Sequence, residues 1–152
     1  MTHAPHATPD HRSAVDRIVQ VFETIAPDTL PDLEAIYAPD ATFRDPFNAV
    51  QGQAAIRRIF AHMFVALDAP RFVVTCRVVD GAHCFLTWEF RFRFLRFDTR
   101  TEQCILGGTH LQLAPDGRIQ DHRDYWDAAE ELYEKLPVIG GLMRWLKRRA
   151  NS

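Results

Sequence analysis

The spacing of apolar residues changes once along the chain, near residue 70. Before that point apolar residues recur every three or four positions, which is the spacing of helices that each bury one face. Prolines lie at the ends of these runs, where helices begin or stop. The pattern predicts helices over 13–26 and 32–37, a short strand over 41–45, and a longer helix that follows Gly52 and stops at Pro70.

After residue 70 the period becomes two, which is typical of strands with one apolar and one polar face. The clearest run is 82–97, where Leu86, Trp88, Phe90, Phe92 and Phe94 alternate with Thr87, Glu89, Arg91 and Arg93. Strands are predicted over 71–79, 82–97, 102–113 and 118–126. They are joined by turns at Asp80-Gly81 and at Pro115-Asp116-Gly117.

This order of elements predicts the fold class. Strands that follow one another through short turns pair antiparallel. A curved antiparallel sheet must cover its apolar face, and the helices of the first half are available to do so. The sequence therefore predicts an α+β fold: a cone-shaped curved antiparallel sheet with helices packed on its concave face. The inside of such a cone is a natural pocket for a small molecule.

The two ends of the chain differ from the predicted domain over 13–135. Segment 1–12 is polar, rich in His and Pro, and predicted to be a disordered tail. Segment 136–152 contains a short basic amphipathic helix, 142–149, predicted to pack on the domain as a lid or dimer strap. Two alternatives stay open for this helix, contact with a membrane surface through Trp145 and its basic neighbours, or a frayed end.

Composition excludes several classes of function. The net charge of −2 and pI of about 6.4 argue against a nucleic-acid-binding protein, which usually has a basic face. No apolar run approaches the roughly 20 residues of a membrane span, and segment 1–11 lacks a secretory leader, so a cytoplasmic protein is predicted. The three cysteines lack metal-ligand spacing and no glycine-rich phosphate loop is present, so neither metal nor cofactor is predicted.

Two motifs resemble known families. The segment Tyr37-Ala-Pro-Asp-Ala-Thr-Phe-Arg-Asp-Pro-Phe47, followed by Gly52 at the start of a helix, resembles bacterial ketosteroid isomerases. The segment His122-Arg-Asp-Tyr-Trp-Asp127 resembles the closing strand of limonene epoxide hydrolases, relatives on the same fold. The resemblance covers roughly residues 15–131 and implies a SnoaL-like, ketosteroid isomerase-like domain. The fold hosts many functions, so it implies less about the chemistry.

The resemblance also implies roles for individual residues. The isomerase general base corresponds to Asp45, and the catalytic aspartate of the hydrolases corresponds to Asp124. Inward positions correspond to Thr109, Leu111 and Leu113 on one strand and to His122, Asp124 and Trp126 on the next.

Two departures from those families limit the analogy. The oxyanion tyrosine of the isomerases corresponds to Val21 or Phe22, and their second donor corresponds to Thr109. The arginine–aspartate pair of the hydrolases corresponds to Arg91 and Arg93, so its acid is missing. The resemblance therefore implies neither a standard steroid isomerase nor a standard epoxide hydrolase.

Three residues are candidates for proton transfer. His122 and Asp124 share a strand face, where a carboxylate would hold one imidazole tautomer. Asp45 precedes Pro46 and is either a base at the pocket mouth or a cap for the loop and helix that follow. For both sites a purely structural role, as a satisfied polar group, remains the alternative.

The predicted pocket wall is mainly aromatic. Its candidate ligand-binding residues are Phe22, Tyr37, Phe60, Phe64, Trp88, Phe90, Phe92, Thr109, Leu111 and Trp126. The opposite strand face, with Glu89, Arg91 and Arg93, is predicted to be exposed or to face a second copy in a homodimer through the sheet. A one-residue bulge would instead turn Glu89 and Arg91 into the cavity.

The leading functional hypothesis is an enzyme that moves a proton on a small, largely apolar molecule, in an isomerase-, cyclase- or hydrolase-type reaction. The competing hypothesis is a module of the same fold that binds an apolar ligand without chemistry. A third hypothesis is a protein-interaction domain that uses the outer face of the sheet.

Overall fold

The computed structural model describes residues 11–137 and 139–150 as one six-stranded sheet with helices against it. The helices are α1 (His11–Thr24), α2 (Leu33–Ile36), α3 (Gln53–Ala66), α4 (Ala128–Glu131) and α5 (Ile139–Ala150), with 3-10 turns at Pro27–Asp32 and Tyr133–Lys135. The strands are β1 (Tyr37–Arg44), β2 (Ala49–Gln51), β3 (Leu67–Asp80), β4 (His83–Phe94), β5 (Gln103–Leu113) and β6 (Ile119–Tyr125).

The sheet order is β2-β1-β6-β5-β4-β3, which confirms the predicted α+β class. Four of the five strand pairs are antiparallel, as the short turns between successive strands require. The pair of β1 and β6 is parallel, a feature that the sequence prediction did not include. The chain returns at its last strand to pair beside its first, so this contact joins segments far apart in sequence.

The core lies between α1, α3 and the inner face of the sheet. On α1, residues Val15, Ile18, Val19 and Phe22 are buried at helical spacing, as the periodicity predicted. From β4, Leu86, Trp88 and Phe92 are buried on the same side. The helix begins at His11, two residues before the predicted start, and the rest of the predicted tail, 1–10, lies outside the described residues.

Strand β3 begins at Leu67, earlier than the predicted residue 71, and carries Pro70 inside it. A proline cannot donate to a strand ladder, but β3 is the edge strand, where proline is tolerated. The register against β4 shifts between Asp68 and Arg71, and again between Val74 and Cys76. Such bulges bend a sheet, and here they curve β3 and β4 around the core.

The last helix, α5, contacts the 3-10 turn Tyr133–Lys135, where the Arg144 guanidinium donates to the carbonyl of Glu134. A Cβ at Gly140 would lie 2.3 Å from that same carbonyl oxygen, so the close approach requires glycine. Leu142 and Trp145 are about half exposed. Among helices built from residues 11–137 and 139–150, none combines the length and the apolarity needed to cross a bilayer.

Candidate functional site

A pocket of about 680 Å³ opens between the inner face of the sheet and helices α1 and α3. Its volume lies within the range of small-molecule sites. The wall is mostly apolar, with rings from Phe22, Phe43, Phe47, Phe60, Phe72, Trp88, Phe90, Phe92 and Trp126. The polar residues of the lining are Asp45, Asn48, Arg58, His62, Thr109, His122 and Asp124.

Asp124 is held from two sides by its neighbours on the sheet. The Thr109 hydroxyl donates to its Oδ1 at 2.5 Å, and the Nε2 atom of His122 lies 2.8 Å from the same oxygen. The Trp88 indole N–H in turn donates to the Thr109 hydroxyl oxygen at 2.8 Å, which directs the threonine proton toward Asp124. The side chain of Asp124 is 16% exposed and that of His122 only 5%.

His122 is fixed by a buried tyrosine on its other nitrogen. The hydroxyl of Tyr37 lies 2.8 Å from Nδ1 of His122, and Tyr37 is fully buried. Burial, and then the negative charge of Asp124, raise the pKa of Tyr37 well above its usual value, so the phenol keeps its proton. An ionised carboxylate only accepts, so Nε2 of His122 donates to Asp124 and Nδ1 accepts from Tyr37.

The second carboxylate oxygen of Asp124 has no hydrogen bond to the described residues. No buried polar side-chain atom among them lacks a partner, so this Oδ2 atom reaches open space. The open space beside Asp124 is the pocket that it lines. The site therefore presents one free carboxylate oxygen to a ligand, while the other oxygen fixes the orientation of the group.

Strand register explains how these side chains meet. Thr109 on β5 is paired directly with Asp124 on β6, and Leu111 with His122. Trp88 on β4 is paired with Gly107 on β5, and its ring lies where a Cβ on that residue would be. Period-two alternation alone placed His122 and Asp124 on one face, but the contacts to Thr109 and Tyr37 depend on strands that the sequence does not align.

Asp45 lines the pocket, but its carboxylate accepts hydrogen bonds from residues of its own loop. Its Oδ1 accepts from the backbone N–H groups of Phe47 at 2.7 Å and Asn48 at 2.6 Å. The Asn48 side-chain amide donates to both carboxylate oxygens. These bonds close the turn between β1 and β2, which is the loop-capping role that the sequence left open for Asp45.

Seven of the ten predicted wall residues line the pocket: Phe22, Phe60, Trp88, Phe90, Phe92, Thr109 and Trp126. Tyr37, Phe64 and Leu111 are not among the lining residues. Tyr37 lies behind His122 and contacts its Nδ1 atom. Leu111 is fully buried on β5, where it is paired with His122, and Phe64 packs against the core from α3.

The apolar face of β4 is the one that lines the pocket, and its polar face points away. Glu89 and Arg91 form an ion pair at 2.6 Å on the outer face of the sheet, and Arg91 also lies 3.6 Å from Glu102. The bulges of β3 leave the register between β4 and β5 unbroken. The alternative in which a bulge turns Glu89 and Arg91 inward therefore does not describe this structure.

Several lining residues were not predicted from the sequence, and the largest group of them lies on α3. The pocket stripe of this helix is Ala55, Arg58, Ile59, His62, Met63 and Ala66, which repeats at three- and four-residue intervals. Ile59 and Met63 have the helical spacing predicted for a buried face, whereas no role was predicted for Arg58 and His62. Their helical spacing with Ile59 and Met63 was the available signal.

Replacing Tyr37 with phenylalanine is expected to destabilise the protein by about 1–3 kcal/mol, because Nδ1 of His122 is then buried without a partner. The pKa of Tyr37 is higher in the folded protein than in the unfolded chain, where it is near 10. Below that unfolded value the phenol is protonated in both states and its contribution to the free energy of unfolding is fully present. At higher pH the unfolded chain loses the proton first, and the contribution is lost. The native protein should therefore lose stability above about pH 10, and Tyr37→Phe should lose less over the same interval.

Urea unfolding at pH 7 and across the alkaline range measures both effects. Burial raises the pKa of Cys84 to about 11, so Cys84 also lowers the free energy of unfolding at alkaline pH. This effect is the same in the native protein and in Tyr37→Phe, and it cancels when the two are compared. Tyr133→Phe is the matched control, because Tyr133 is only partly buried and its hydroxyl makes no hydrogen bond to the described residues. Equal losses from the two substitutions would contradict the role assigned to Tyr37.

Among the residues that the structure describes, no three His, Cys, Asp or Glu side chains gather into a group that could hold a metal ion. His122 and Asp124 have Thr109 and Tyr37 as their further partners. Hydrogen bonds with neighbouring side chains therefore hold both His122 and Asp124 in place.

Several solved structures have a fold similar to that of this chain. One is a protein of ketosteroid isomerase-like fold from Catenulispora acidiphila, solved in complex with trimethylamine (TM-score 0.66, 17% identity, covering 83% of this chain and 92% of that one). Another is a limonene epoxide hydrolase-like epoxide hydrolase from M. tuberculosis (TM-score 0.63, 15% identity, covering 93% and 96%). At these identities the likeness shows the fold alone.

A third similar structure is SalBIII, an epoxide hydrolase/cyclase-like enzyme of pyran ring formation in the polyether salinomycin (TM-score 0.64, 19% identity, covering 78% of this chain and 93% of that one). No curated protein sequence matches this chain. The sequence model of the SnoaL-like domain family matches residues 15–122, which is most of the chain. This protein therefore belongs to the SnoaL-like domain family.

Proposed function

We propose that this protein is an enzyme that transfers a proton on a small, largely apolar molecule, with Asp124 as the acid/base group. The observation that carries the proposal is the carboxylate oxygen of Asp124 that makes no hydrogen bond to the described residues and faces a mostly aromatic and aliphatic pocket. The similar structures include an epoxide hydrolase and a cyclase-like enzyme, which supports an isomerase-, cyclase- or hydrolase-type reaction on the same fold.

In this mechanism Oδ2 of Asp124 removes a proton from a carbon next to a carbonyl group and returns it to another atom of the same molecule. Thr109 and His122 hold Oδ1, so the carboxylate is oriented before the ligand arrives. The apolar wall keeps water away, and a positioned base of this kind contributes typically ~10²–10⁴-fold to a rate. In its isomerase- or cyclase-type form, such a reaction rearranges one molecule or closes a ring within it.

The test is exchange of the acidic C–H of 2-tetralone, a compact apolar ketone, in deuterated water. If Asp124 acts as proposed, the native protein accelerates deuterium uptake beside the carbonyl, with a rate that saturates as the ketone fills the pocket. A nonreactive pocket ligand of similar size, such as naphthalene, should inhibit it. Binding of 2-tetralone without faster exchange would reject the enzymatic proposal.

One observation favours the second candidate function, binding without chemistry. The N–H and O–H donors near Asp124 are already used by protein acceptors: Trp88 donates to Thr109, Thr109 to Asp124, and Tyr37 to His122. No donor of this set remains for a developing oxyanion, which a strong enolising site would need. Slow exchange with tight binding in the same assay would identify the protein as a carrier of an apolar ligand.

We also propose that two copies of the chain associate through the outer face of the sheet. Phe85, Leu106 and Tyr125 are 41–57% exposed on that face, around the ion pair of Glu89 and Arg91. Light scattering should give about twice the chain mass of 17.5 kDa. Leu106→Arg should shift the mass toward one chain. A native protein at the single-chain mass would reject the homodimer.

A further inference from the structure

Arg58 lies on the pocket side of α3 and has no ion pair with any residue that the structure describes. Its neighbour Arg57 has the same side chain but points away, where it pairs with Glu34 at 3.3 Å. The two adjacent arginines therefore differ in their surroundings: Arg57 is paired at the surface, whereas Arg58 lines the pocket.

The charges of the pocket are separated along its length. The carboxylate of Asp124 lies on β6, while Arg58 and His62 lie one turn apart on α3 across the cavity. Arg58 and His62 are both exposed, so this part of the lining forms the mouth of the pocket. The carboxylate of Asp45, which also lines the pocket, already accepts hydrogen bonds from Phe47 and Asn48.

We propose that the ligand of this pocket is an amphipathic carboxylic acid, bound with its apolar body against the aromatic wall and its carboxylate against Arg58 at the mouth. The inference rests on the proposed pocket function and adds the class of ligand. A guanidinium presents two parallel N–H donors that match a carboxylate, which a single point charge does not. His62, one turn further along α3, offers a ring N–H to the same group.

This orientation also agrees with the chemistry proposed for the site. An anionic group placed beside Asp124 would meet a like charge, whereas one placed at Arg58 leaves the apolar, reactive part of the molecule facing Oδ2. The pocket volume of about 680 Å³ accommodates a ring system or a folded chain between these two ends. Arg58 therefore fixes which end of the ligand enters first.

The experiment uses two probes with the same body, 11-(dansylamino)undecanoic acid and its methyl ester. Binding is followed by energy transfer to the dansyl group from tryptophan, since Trp88 and Trp126 line the pocket. The native protein should bind the acid about tenfold more tightly than the ester, as expected for a charge-assisted hydrogen bond. Arg58→Gln should remove that difference by weakening the acid alone.

Arg57→Gln is the matched control and should keep the preference for the acid. An equal loss in Arg57→Gln would mean that general positive charge, and not Arg58, attracts the carboxylate, and would overturn the inference. Equal affinity of the native protein for acid and ester would overturn it too, while leaving the apolar pocket intact. If neither probe binds, both the pocket function and the inference fail.

Discussion

Asp124→Asn should lower the rate of proton exchange by about 10²–10⁴-fold while leaving the fold unchanged. An asparagine keeps the size of the side chain, and its carbonyl oxygen still accepts from Thr109 and His122 in place of Oδ1. The amide cannot take a proton at the position of Oδ2. The loss should therefore appear in the rate of deuterium uptake by 2-tetralone, with the affinity for the ketone changed little.

Two further variants separate this role from other effects of lost charge. Asp121→Asn is the matched control, because Asp121 lies on the same strand, accepts from Thr42 and is absent from the pocket lining. Asp45→Asn tests the other aspartate in the pocket and should change the exchange rate far less than Asp124→Asn. A full loss in Asp45→Asn with activity retained in Asp124→Asn would reverse the assignment of the base.

The alternation of apolar residues was enough to predict the fold class, and it favoured the apolar face of β4 as the pocket wall while a bulge that would reverse this face stayed open. Strand β4 alternates over its whole length because one face covers the core and the other meets solvent. The same period placed His122 and Asp124 together on β6. Both features follow from the alternation of residues within a single strand, and that alternation can be read directly from consecutive positions in the sequence.

The features that the sequence did not reveal depend on pairing between distant segments. The parallel contact of β1 with β6 aligns Phe43 with His122 across the sheet, and nothing within either strand specifies that partner. The contact of Tyr37 with His122 follows from the same pairing. Asp45 is a different case, because its partners lie within its own turn. The resemblance implied that Asp45 is a general base, whereas its carboxylate accepts hydrogen bonds from the backbone N–H groups of Phe47 and Asn48.

Gly107 illustrates how a residue without a side chain determines the geometry of the site. A Cβ at this position would lie 2.3–2.7 Å from three carbons of the six-membered ring of Trp88. Glycine therefore lets the indole lie flat on β5, with its N–H on the Thr109 hydroxyl that orients Asp124. From the sequence, Gly107 was considered only as part of a possible phosphate loop, for which the surrounding motif is absent.

Gly107→Ala is expected to destabilise the protein by about 1–3 kcal/mol, because the indole must move out of a packed core. The displaced ring should also lose its bond to Thr109, so the exchange rate should fall as well. Urea unfolding measures the first effect and deuterium uptake the second. Gly141→Ala is the matched control, since nothing lies within 4 Å of its Cβ and alanine favours the helix α5 by roughly 0.5–1 kcal/mol.

A second background tests whether the ring of Trp88 is the cause. Phenylalanine lacks the ring carbons that approach Gly107, so Gly107→Ala should cost at least about 1 kcal/mol less in a Trp88→Phe protein than in the native one. Such coupling between the two substitutions would be direct evidence that the indole occupies the space above Gly107. If Gly107→Ala costs the same in both backgrounds, its effect arises from the backbone of β5, and the indole is oriented by other contacts.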